Sequence, residues 1–207
     1  MEKLDLSKEY KTYYTAKTKP ELVTIEKASF LSICGNGDPS APAFAKQIEA
    51  LYTTAYTIKF ASKTEGKDFV VAKLEGLWWY DQARYGGLTM NEAPTAIPRE
   101  EWEYRLLIRM PAFVSETDVV SAVDAVLTKK GIALASDIQF FEMEEGKCVQ
   151  MLHVGPFDKE VETLQVIKVF MEERGLRQNG LHHEIYLSDF RKVVPGKLRT
   201  ILREPVV

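Results

Sequence analysis

The stretch Leu181-His182-His183-Glu184-Ile185-Tyr186-Leu187-Ser188-Asp189 predicts a β-strand near the C-terminus. Successive side chains of a strand point to opposite faces of the sheet. One face is mostly apolar and suited to packing against helices, and it consists of His183, Ile185 and Leu187. The other face is polar, and it consists of His182, Glu184, Tyr186 and Ser188. A buried carboxylate needs a partner, so we expect Glu184 to lie in a cleft that a ligand enters, with an ordinary solvated face as the alternative.

Composition limits the class of protein. The chain has 207 residues, of which 45% are hydrophobic and 28% are charged, and this predicts one globular domain or two small, tightly joined halves. The net charge of -3 gives no positive field for a nucleic acid or an anionic membrane, so we expect neither partner. No apolar run approaches the ~20 residues of a membrane helix, and residues 1–11 lack the hydrophobic segment of a secretory signal. Two cysteines, Cys34 and Cys148, are too few for a disulfide framework. We expect a cytoplasmic protein.

Helices are predicted where apolar residues recur at three- and four-residue intervals. Such stripes lie in residues 44–56, 119–127 and 159–174. Ser40 is the candidate N-cap of the first helix, with Pro42 in its first turn. Ser115 begins the second helix in a capping pattern, and Gly131 ends it.

Three segments are predicted to be irregular. Residues 1–21 form an N-terminal arm or short helix, to which we assign no chemistry. Residues 144–147 are predicted to be a hairpin turn between two strand-like runs. Residues 81–101 contain several Gly and Pro residues, and loops of this length are often functional flaps. Whether this loop closes over the cleft is left open by the sequence.

An internal repeat relates the two halves of the chain. Residues 105–111 (Arg-Leu-Leu-Ile-Arg-Met-Pro) and 199–205 (Arg-Thr-Ile-Leu-Arg-Glu-Pro) share an Arg, a Leu/Ile pair, a second Arg and a Pro in register. Each ends a series of strand, Gly-containing turn, helix, strand and strand. Internal similarity of this kind predicts a repeated structural unit. We predict an α+β fold in which a duplicated strand-helix-strand-strand unit forms an antiparallel sheet with a pseudo-twofold, helices on one side and a ligand cleft between the halves.

The duplication divides the chain and indicates a pocket. The first repeat covers about 22–111, a connecting helix and strand cover about 112–147, and the second repeat covers about 148–207. The alignment places Gly76 opposite Glu184. A glycine leaves volume and aromatic rings give flat apolar walls, a combination typical of a small-molecule pocket. The remaining candidate pocket residues are Trp78, Tyr80, Trp102, Tyr104, His182 and Tyr186.

Several motifs resemble those of one protein family. They are Gly35-Asn36-Gly37-Asp38-Pro39, Glu75-Gly76-Leu77-Trp78-Trp79, His153-Val154-Gly155-Pro156-Phe157, and residues 182–191 followed by residues 195–203. Together they resemble the GyrI-like (gyrase-inhibitor-like) family, and the chain is similar to its stand-alone members. The resemblance covers nearly the whole chain from Leu22 onward, and residues 182–189 are its most specific part.

The resemblance implies a duplicated strand-helix-strand-strand fold with an aromatic-lined cleft. In relatives fused to DNA-binding helix-turn-helix domains, that cleft binds drugs and lipophilic cations near an acidic residue. Some stand-alone members are hydrolases that open the cyclopropane ring of cyclopropanoid genotoxins. Glu184 stands where the pocket carboxylate of the family is expected. Where the family has Pro after Ser-Asp, this chain has Phe190, which we expect not to touch the pocket face.

The predicted chemistry centres on Glu184 and Tyr186. Glu184 is expected to act as a general base that activates water, or as an acid that protonates a leaving carbonyl, with Tyr186 as a hydrogen-bond donor. The chain is then a detoxifying hydrolase of electrophilic compounds that needs no cofactor. The alternative is a non-catalytic sink for hydrophobic, aromatic or cationic small molecules, or an effector-binding regulator that acts through a partner protein. Direct gyrase inhibition has no supporting sequence feature, and the oligomeric state is left open.

Other kinds of site are disfavoured. His182 and His183 are adjacent on a strand and point to opposite faces, so they cannot chelate one ion together, and we predict no metal site. Ser188 has no nucleophile-elbow sequence around it. The arginines of the two repeated segments are predicted to form ion pairs with acids such as Glu75 and Glu103, rather than a basic binding stripe.

Overall fold

The structure is a computed structural model that describes residues 3–89 and 92–207. Within these residues the strands form one eight-stranded sheet in which every neighbouring pair is antiparallel. The predicted α+β class with an antiparallel sheet is confirmed. The strands are β1 (Glu21–Ile25), β2 (Ala28–Asn36), β3 (Leu74–Trp79), β4 (Glu103–Arg109), β5 (Gln139–Met143), β6 (Gly146–Val154), β7 (His182–Tyr186) and β8 (Arg199–Pro205).

Three long helices and several short ones accompany the sheet. The long helices are α3 (Pro42–Thr64), α6 (Glu116–Lys130) and α7 (Glu160–Glu172), and the one-turn helices are α1 (Leu6–Glu9), α2 (Lys11–Tyr14), α4 (Gln82–Tyr85) and α5 (Ala93–Ala96). Short 3-10 helices lie at Arg99–Glu101, Ala133–Asp137, Phe157–Lys159 and Pro195–Lys197. None of the helices in the described parts of the chain has the length and apolar composition needed to cross a membrane.

The ends of the helices follow local sequence rules. At α6 the Ser115 hydroxyl accepts from the Asp118 amide, and the Asp118 carboxylate accepts from the Ser115 amide, so the predicted capping box is present. Gly131 ends α6 with a left-handed φ of 67°. Pro42 is the first residue of α3, as predicted, but the N-cap is Ala41 rather than Ser40. Pro at the first position fixes φ for the helix and needs no amide partner, and the N-cap residue Ala41 has no capping side chain.

The strand order is β1-β6-β8-β7-β3-β4-β2-β5. Residues 26–27 join β1 to β2, and residues 144–145 join β5 to β6. In a flat sheet each of these pairs would be roughly 30 Å apart, six strand spacings, whereas a two-residue connection spans roughly 10 Å. The sheet therefore curls until its two edges approach each other. The predicted hairpin turn at 144–147 is wrong, since β5 pairs with β2 and β6 pairs with β1 and β8.

The strand order is the same outward from the central β3–β7 pair in both directions. Next to β3 lie β4 and then β2, and next to β7 lie β8 and then β6. On each side, the third strand of a predicted repeat therefore comes before its first strand. Gly76 pairs directly with Glu184 across the β3–β7 junction. A pseudo-twofold through this pair is what a duplication would produce, and the duplication itself stays a prediction.

The two faces of the sheet are covered differently. We call the face that carries Trp78, Leu106 and Tyr186 the outer face; α3, α6 and α7 pack on it. The opposite, inner face collects apolar side chains from all eight strands, and the N-terminal arm covers it with Leu6, Tyr13 and Tyr14. The long helices thus cover one face of the sheet and the N-terminal arm covers the other.

Residues 81–101 are largely ordered in short helical turns. They contain α4, α5 and a 3-10 turn, while residues 90 and 91 lie outside the described residues, as do residues 1 and 2 of the arm. The Tyr80 hydroxyl donates to the Leu88 carbonyl at 2.6 Å, and Ala93 and Ile97 are buried in the outer core. This segment packs on the aromatic side of the sheet, and its predicted role as a flap stays a prediction.

Candidate functional site

Glu184 lies in the middle of β7 on the outer face, and its side chain is 14% exposed. The Tyr186 hydroxyl donates to its Oε2 at 2.6 Å. Its Oε1 lies 3.3 Å from Nε2 of His182. Both oxygens of the carboxylate are partnered, yet the group still reaches solvent. A titratable group that is covered on most sides and open on one is a functional-site candidate.

His182 is held between two carboxylates. Its Nδ1 is 2.5 Å from Oε1 of Glu204, on β8, and its Nε2 faces Glu184. Both neighbours are carboxylates, so both ring nitrogens donate and the ring is an imidazolium. Burial by itself lowers the pKa of His182, but the charge of Glu204 and the hydrogen bonds with both glutamates outweigh this and raise the pKa to about 10.

The raised pKa of His182 predicts a pH-dependent stability. The unfolded chain releases this proton near the ordinary histidine value and the folded chain near pH 10, so between these values folding retains a proton and stability falls as pH rises. Wild-type protein and His182→Gln are compared by urea unfolding across this range. We expect the stability advantage of the wild type to shrink by on the order of 1 kcal/mol per pH unit. An advantage that stays constant with pH would contradict the imidazolium.

Tyr186 connects Glu184 to the aromatic cluster of the first half. The Trp78 indole Nε1–H donates to the Tyr186 oxygen at 3.1 Å. Burial, and then the charge of Glu184, raise the pKa of Tyr186 well above its usual range, so the phenol remains a neutral donor. The hydrogen bonds run in one direction, from Trp78 to Tyr186 to Glu184, and they orient the carboxylate.

The other aromatic residues predicted for the pocket are packed against one another. Tyr104 is 1% exposed, Tyr80 4%, and Trp78 and Trp102 8% each. The Trp102 ring meets the Trp78 and Tyr80 rings edge-on at 6.4 and 5.8 Å, and Tyr104 donates to Gln47 on α3. In this conformation Trp102 and Tyr104 pack against the Trp78 ring, and Tyr80 packs against Trp102. Their predicted contact with a ligand stays a prediction.

Gly76 gives Trp78 and Tyr186 the space that they occupy. A Cβ at this position would lie 2.8 Å from Trp78 Nε1 and 3.1 Å from the Tyr186 hydroxyl. The volume that the sequence predicted beside Glu184 is therefore filled by the indole and phenol that are hydrogen-bonded there.

Gly76→Ala is expected to displace this hydrogen-bonded pair. Overpacking a filled core site costs about 1–3 kcal/mol, and we expect the free energy of unfolding in urea to fall by that amount. Gly196→Ala is the matched control, because a Cβ there meets nothing within 4 Å. Equal midpoints for the two variants would show that the site beside Glu184 has spare room.

A groove of about 890 Å³ runs along α3, with walls from residues 70–74 and 188–192. Its aromatic lining residues are Tyr14, Tyr52, Tyr56, Phe60, Tyr186 and Phe190. Glu184 does not line the groove directly, but Tyr186, which does, donates to it. The groove takes walls from both halves of the chain, and one of its walls includes Tyr186, whose hydroxyl is bonded to Glu184.

The expectation for Phe190 is wrong. Its ring lies 6.3 Å from the ring of Tyr186 and 6.0 Å from that of Phe157, and it lines the groove. Asp189 accepts from Arg191 Nε at 2.9 Å and Nη2 at 3.1 Å, which closes a turn and brings Phe190 back over Tyr186. The strand pattern ends at the turn, so it could not predict this direction. Phe157, 40% exposed, was missed by the sequence analysis.

The second histidine takes part in a separate network on the inner face. His183 lies 2.9 Å from Glu145 Oε1 and 3.0 Å from Glu75 Oε2. Burial favours neutral Glu145, but the charges of His183 and Arg203 outweigh it and lower its pKa to about 2. Arg203 thus pairs with Glu145, not with Glu75 or Glu103 as predicted, because the curled sheet brings the 144–145 connection over β8.

The two histidines therefore contact separate pairs of carboxylates on opposite faces. No group of three or more His, Cys, Asp or Glu residues in the described parts of the chain is arranged to hold a metal ion. His182 and His183 act here as charge partners for glutamates.

Two further acids of the outer face were missed. Glu204 binds His182, and Glu160, the first residue of α7, lies against Glu184. The aligned repeat contained a signal for Glu204, because the first copy has Met110 at the matching position and an acid on a packed face needs a partner. Glu160 lies at the start of a helix, where an acidic residue is common, so the sequence offered no signal for it.

The chain is similar to known proteins in sequence and in structure. The sequence model of the GyrI-like small molecule binding domain matches residues 112–206, which contain Glu160, Glu184 and Glu204. A crystal structure of an uncharacterized conserved protein from Listeria innocua is 40% identical, with a TM-score of 0.87, over 99% of this chain and 100% of that chain. The chain belongs to the GyrI-like family. Its family is one of small-molecule binding domains.

Two more crystal structures extend this comparison for the GyrI-like protein. Both are described as hydrolases from Listeria innocua, and both have a TM-score of 0.85. One is 39% identical over 99% of this chain and 100% of that chain, and the other is 38% identical over 100% of both. No curated protein is a significant match. The family resemblance predicted from the motifs is confirmed.

Proposed function

We propose that this GyrI-like protein binds a hydrophobic, aromatic or cationic small molecule and hydrolyses electrophilic compounds of the cyclopropanoid type. The observation that carries the proposal is the hydrogen bond to Glu184 from Tyr186, a residue that lines an aromatic groove. It puts a carboxylate and a neutral donor side by side. The hydrolases from Listeria innocua, similar over the whole chain, support the same class of reaction.

The binding part of the proposal rests on charge and ring surfaces. Two carboxylates, Glu184 and Glu204, surround one imidazolium, His182, which leaves one negative charge for a cationic ligand to neutralise. Each cation–aromatic contact contributes roughly 0.5–2 kcal/mol. The rings of Tyr186, Phe157 and Phe190 lie within 6.3 Å of one another, so a planar ligand can also stack without carrying charge.

The catalytic part assigns Glu184 as general base and Tyr186 as donor. Glu184 takes a proton from water, the water oxygen bonds to a carbon of the strained ring, and the carbon–carbon bond of the ring breaks. Its electron pair moves to a conjugated carbonyl, whose oxygen Tyr186 stabilises by donating a hydrogen bond. A strained electrophile needs little activation, so we expect the base and the donor to act without a cofactor.

Turnover is tested by mass spectrometry of a cyclopropanoid compound incubated with and without the protein. We expect a product heavier by one water to accumulate with time in proportion to protein concentration. The alternative is a non-catalytic sink, which would use the same groove but release its ligand unchanged. Recovery of intact ligand after denaturation would therefore reject the hydrolase and retain the binding protein.

A further inference from the structure

Glu160 lies beside Glu184 and has no part in the reaction described so far. It is 7% exposed, and its carboxyl interacts with Glu184 and with the Thr200 side chain. Its Oε1 is buried without a hydrogen-bond partner, and no other side-chain oxygen or nitrogen in residues 3–89 and 92–207 is in that state. Buried polar atoms in folded proteins are nearly always satisfied, so this orphaned oxygen beside the candidate base calls for an explanation.

The two carboxyl groups cannot both be ionised. Like charges in contact repel, and an ionised carboxylate with an unpartnered buried oxygen is costly. Burial, and then the charge of Glu184, raise the pKa of Glu160 well above its usual range. The contacts also decide which residue is ionised: Glu184 accepts from Tyr186 and faces the imidazolium of His182, whereas Glu160 Oε1 accepts from nothing.

We propose that Glu160 and Glu184 form a carboxyl–carboxylate pair that shares one proton, and that Glu160 is a positioning residue that stores this proton for the reaction at Glu184. Glu160 Oε1 is fully buried, while the Glu184 side chain is 14% exposed, so Glu184 is the member of the pair that we expect a ligand to reach. The inference rests on the proposed hydrolase function, and it adds a group that holds a proton beside Glu184 while the proton of the water is transferred to the product.

With a shared proton, the pair can deliver one proton to the product for each proton that it takes from water. Glu184 accepts one proton from the attacking water, so that the pair then holds two. The carbonyl oxygen that gained the electron pair takes one of these two protons, passed through Glu184 and Tyr186. The pair returns to one proton, and the net reaction is the addition of one water to the ring.

Three titratable side chains of the sheet surround the pair. They are His182 and Tyr186 on β7 and Glu204 on β8. His182 has a pKa of about 10 and the pKa of Tyr186 is raised well above its usual range, so both keep their protons at neutral pH. Glu204 is held by His182 and by Gln178, whose Nε2 donates to it at 3.1 Å.

Infrared spectroscopy of the full chain at neutral pH tests the pair without any substrate. We expect the carbonyl absorption of a protonated carboxyl group in the wild type, its loss in Glu160→Gln, and its retention in Glu162→Gln. Glu162 is the matched control because it is on the same helix with a side chain that is 73% exposed. Absence of the band in the wild type, or its persistence in Glu160→Gln, overturns the shared proton.

The pH profile of kcat tests what the proton does. The wild type should lose activity at low pH, where the pair gains a second proton, and at high pH, where it loses its last. Glu160→Gln should lower kcat by about 10²–10⁴-fold at neutral pH with little change in KM, and should remove the alkaline fall. An unchanged kcat and alkaline fall in Glu160→Gln overturn the role in the reaction. If the wild type shows no turnover, the proposed function and this role both fail, and the infrared result alone decides whether the pair exists.

Discussion

Glu184→Gln is expected to fold normally and to lower kcat for an electrophilic cyclopropanoid compound by about 10²–10⁴-fold. Glutamine keeps the shape of the side chain and an oxygen that accepts from Tyr186, but it cannot take a proton from water. Because His182 retains Glu204 as its second partner, we expect the urea midpoint to change little. The readout is the rate of product formation by mass spectrometry.

The control for Glu184→Gln is Glu142→Gln, on the edge strand β5. The side chain of Glu142 is 46% exposed and pairs with Lys27, far in sequence from every site residue. The Glu142→Gln substitution makes the same chemical change on a strand, at a residue that does not line the groove. If Glu184→Gln turned over substrate as fast as Glu142→Gln, the assignment of the base would be wrong. If Glu184→Gln lost both ligand binding and turnover, Glu184 would have a role in binding.

Arg203→Met is expected to lower the free energy of unfolding by about 3–5 kcal/mol, because it breaks a buried ion pair and leaves the other charge unpaired. Arg203 is 0% exposed. Its Nη1 donates to Glu145 at 3.0 Å, its Nη2 donates to the Tyr13 carbonyl at 2.8 Å and to Gln150 at 3.0 Å. One guanidinium thus joins the N-terminal arm, the 144–145 connection and β6.

Arg199→Met is the matched control for Arg203→Met. Arg199 begins the same strand, and its side chain is exposed. Surface substitutions of this kind usually change stability by less than about 0.5 kcal/mol. Urea unfolding of both variants gives the comparison, and a loss of similar size at the two positions would mean that the inner network does not anchor the arm.

Short-range features of the fold were accessible from the sequence. The alternation in residues 181–189 identified β7 and separated the side chains of its two faces, and Ser115 and Gly131 marked the ends of α6. The expectation that helices pack on the face of His183 and Ile185 is wrong, because the N-terminal arm covers that face and the long helices pack on the face of Tyr186. Each of these depends on residues within one helical turn or one strand, where backbone geometry fixes the side-chain direction. The prediction of a hairpin at 144–147 was wrong because a short connection does not determine which strands pair when the sheet curls.

The sequence predicted only part of the candidate site, because only some of its residues are neighbours on one strand. Glu184 and Tyr186 stand two residues apart on one strand, so the strand period alone put them together. Glu160 and Glu204 reach Glu184 and His182 from α7 and β8; the aligned repeat contained a signal for Glu204, and the sequence contained none for Glu160. Phe190 turned toward Tyr186 through a turn closed by Asp189 and Arg191.

By itself, the sequence determined that neighbouring His182 and His183 point to opposite faces, since a strand has a period of two. Only the tertiary structure decided that each is held between two glutamates. His182 lies between Glu184 and Glu204 on the outer face, and His183 lies between Glu75 and Glu145 on the inner face. A buried charge needs an opposite charge within a few ångströms, and the partner can come from any position along the chain. The curl of the sheet and the placement of the arm supplied those partners.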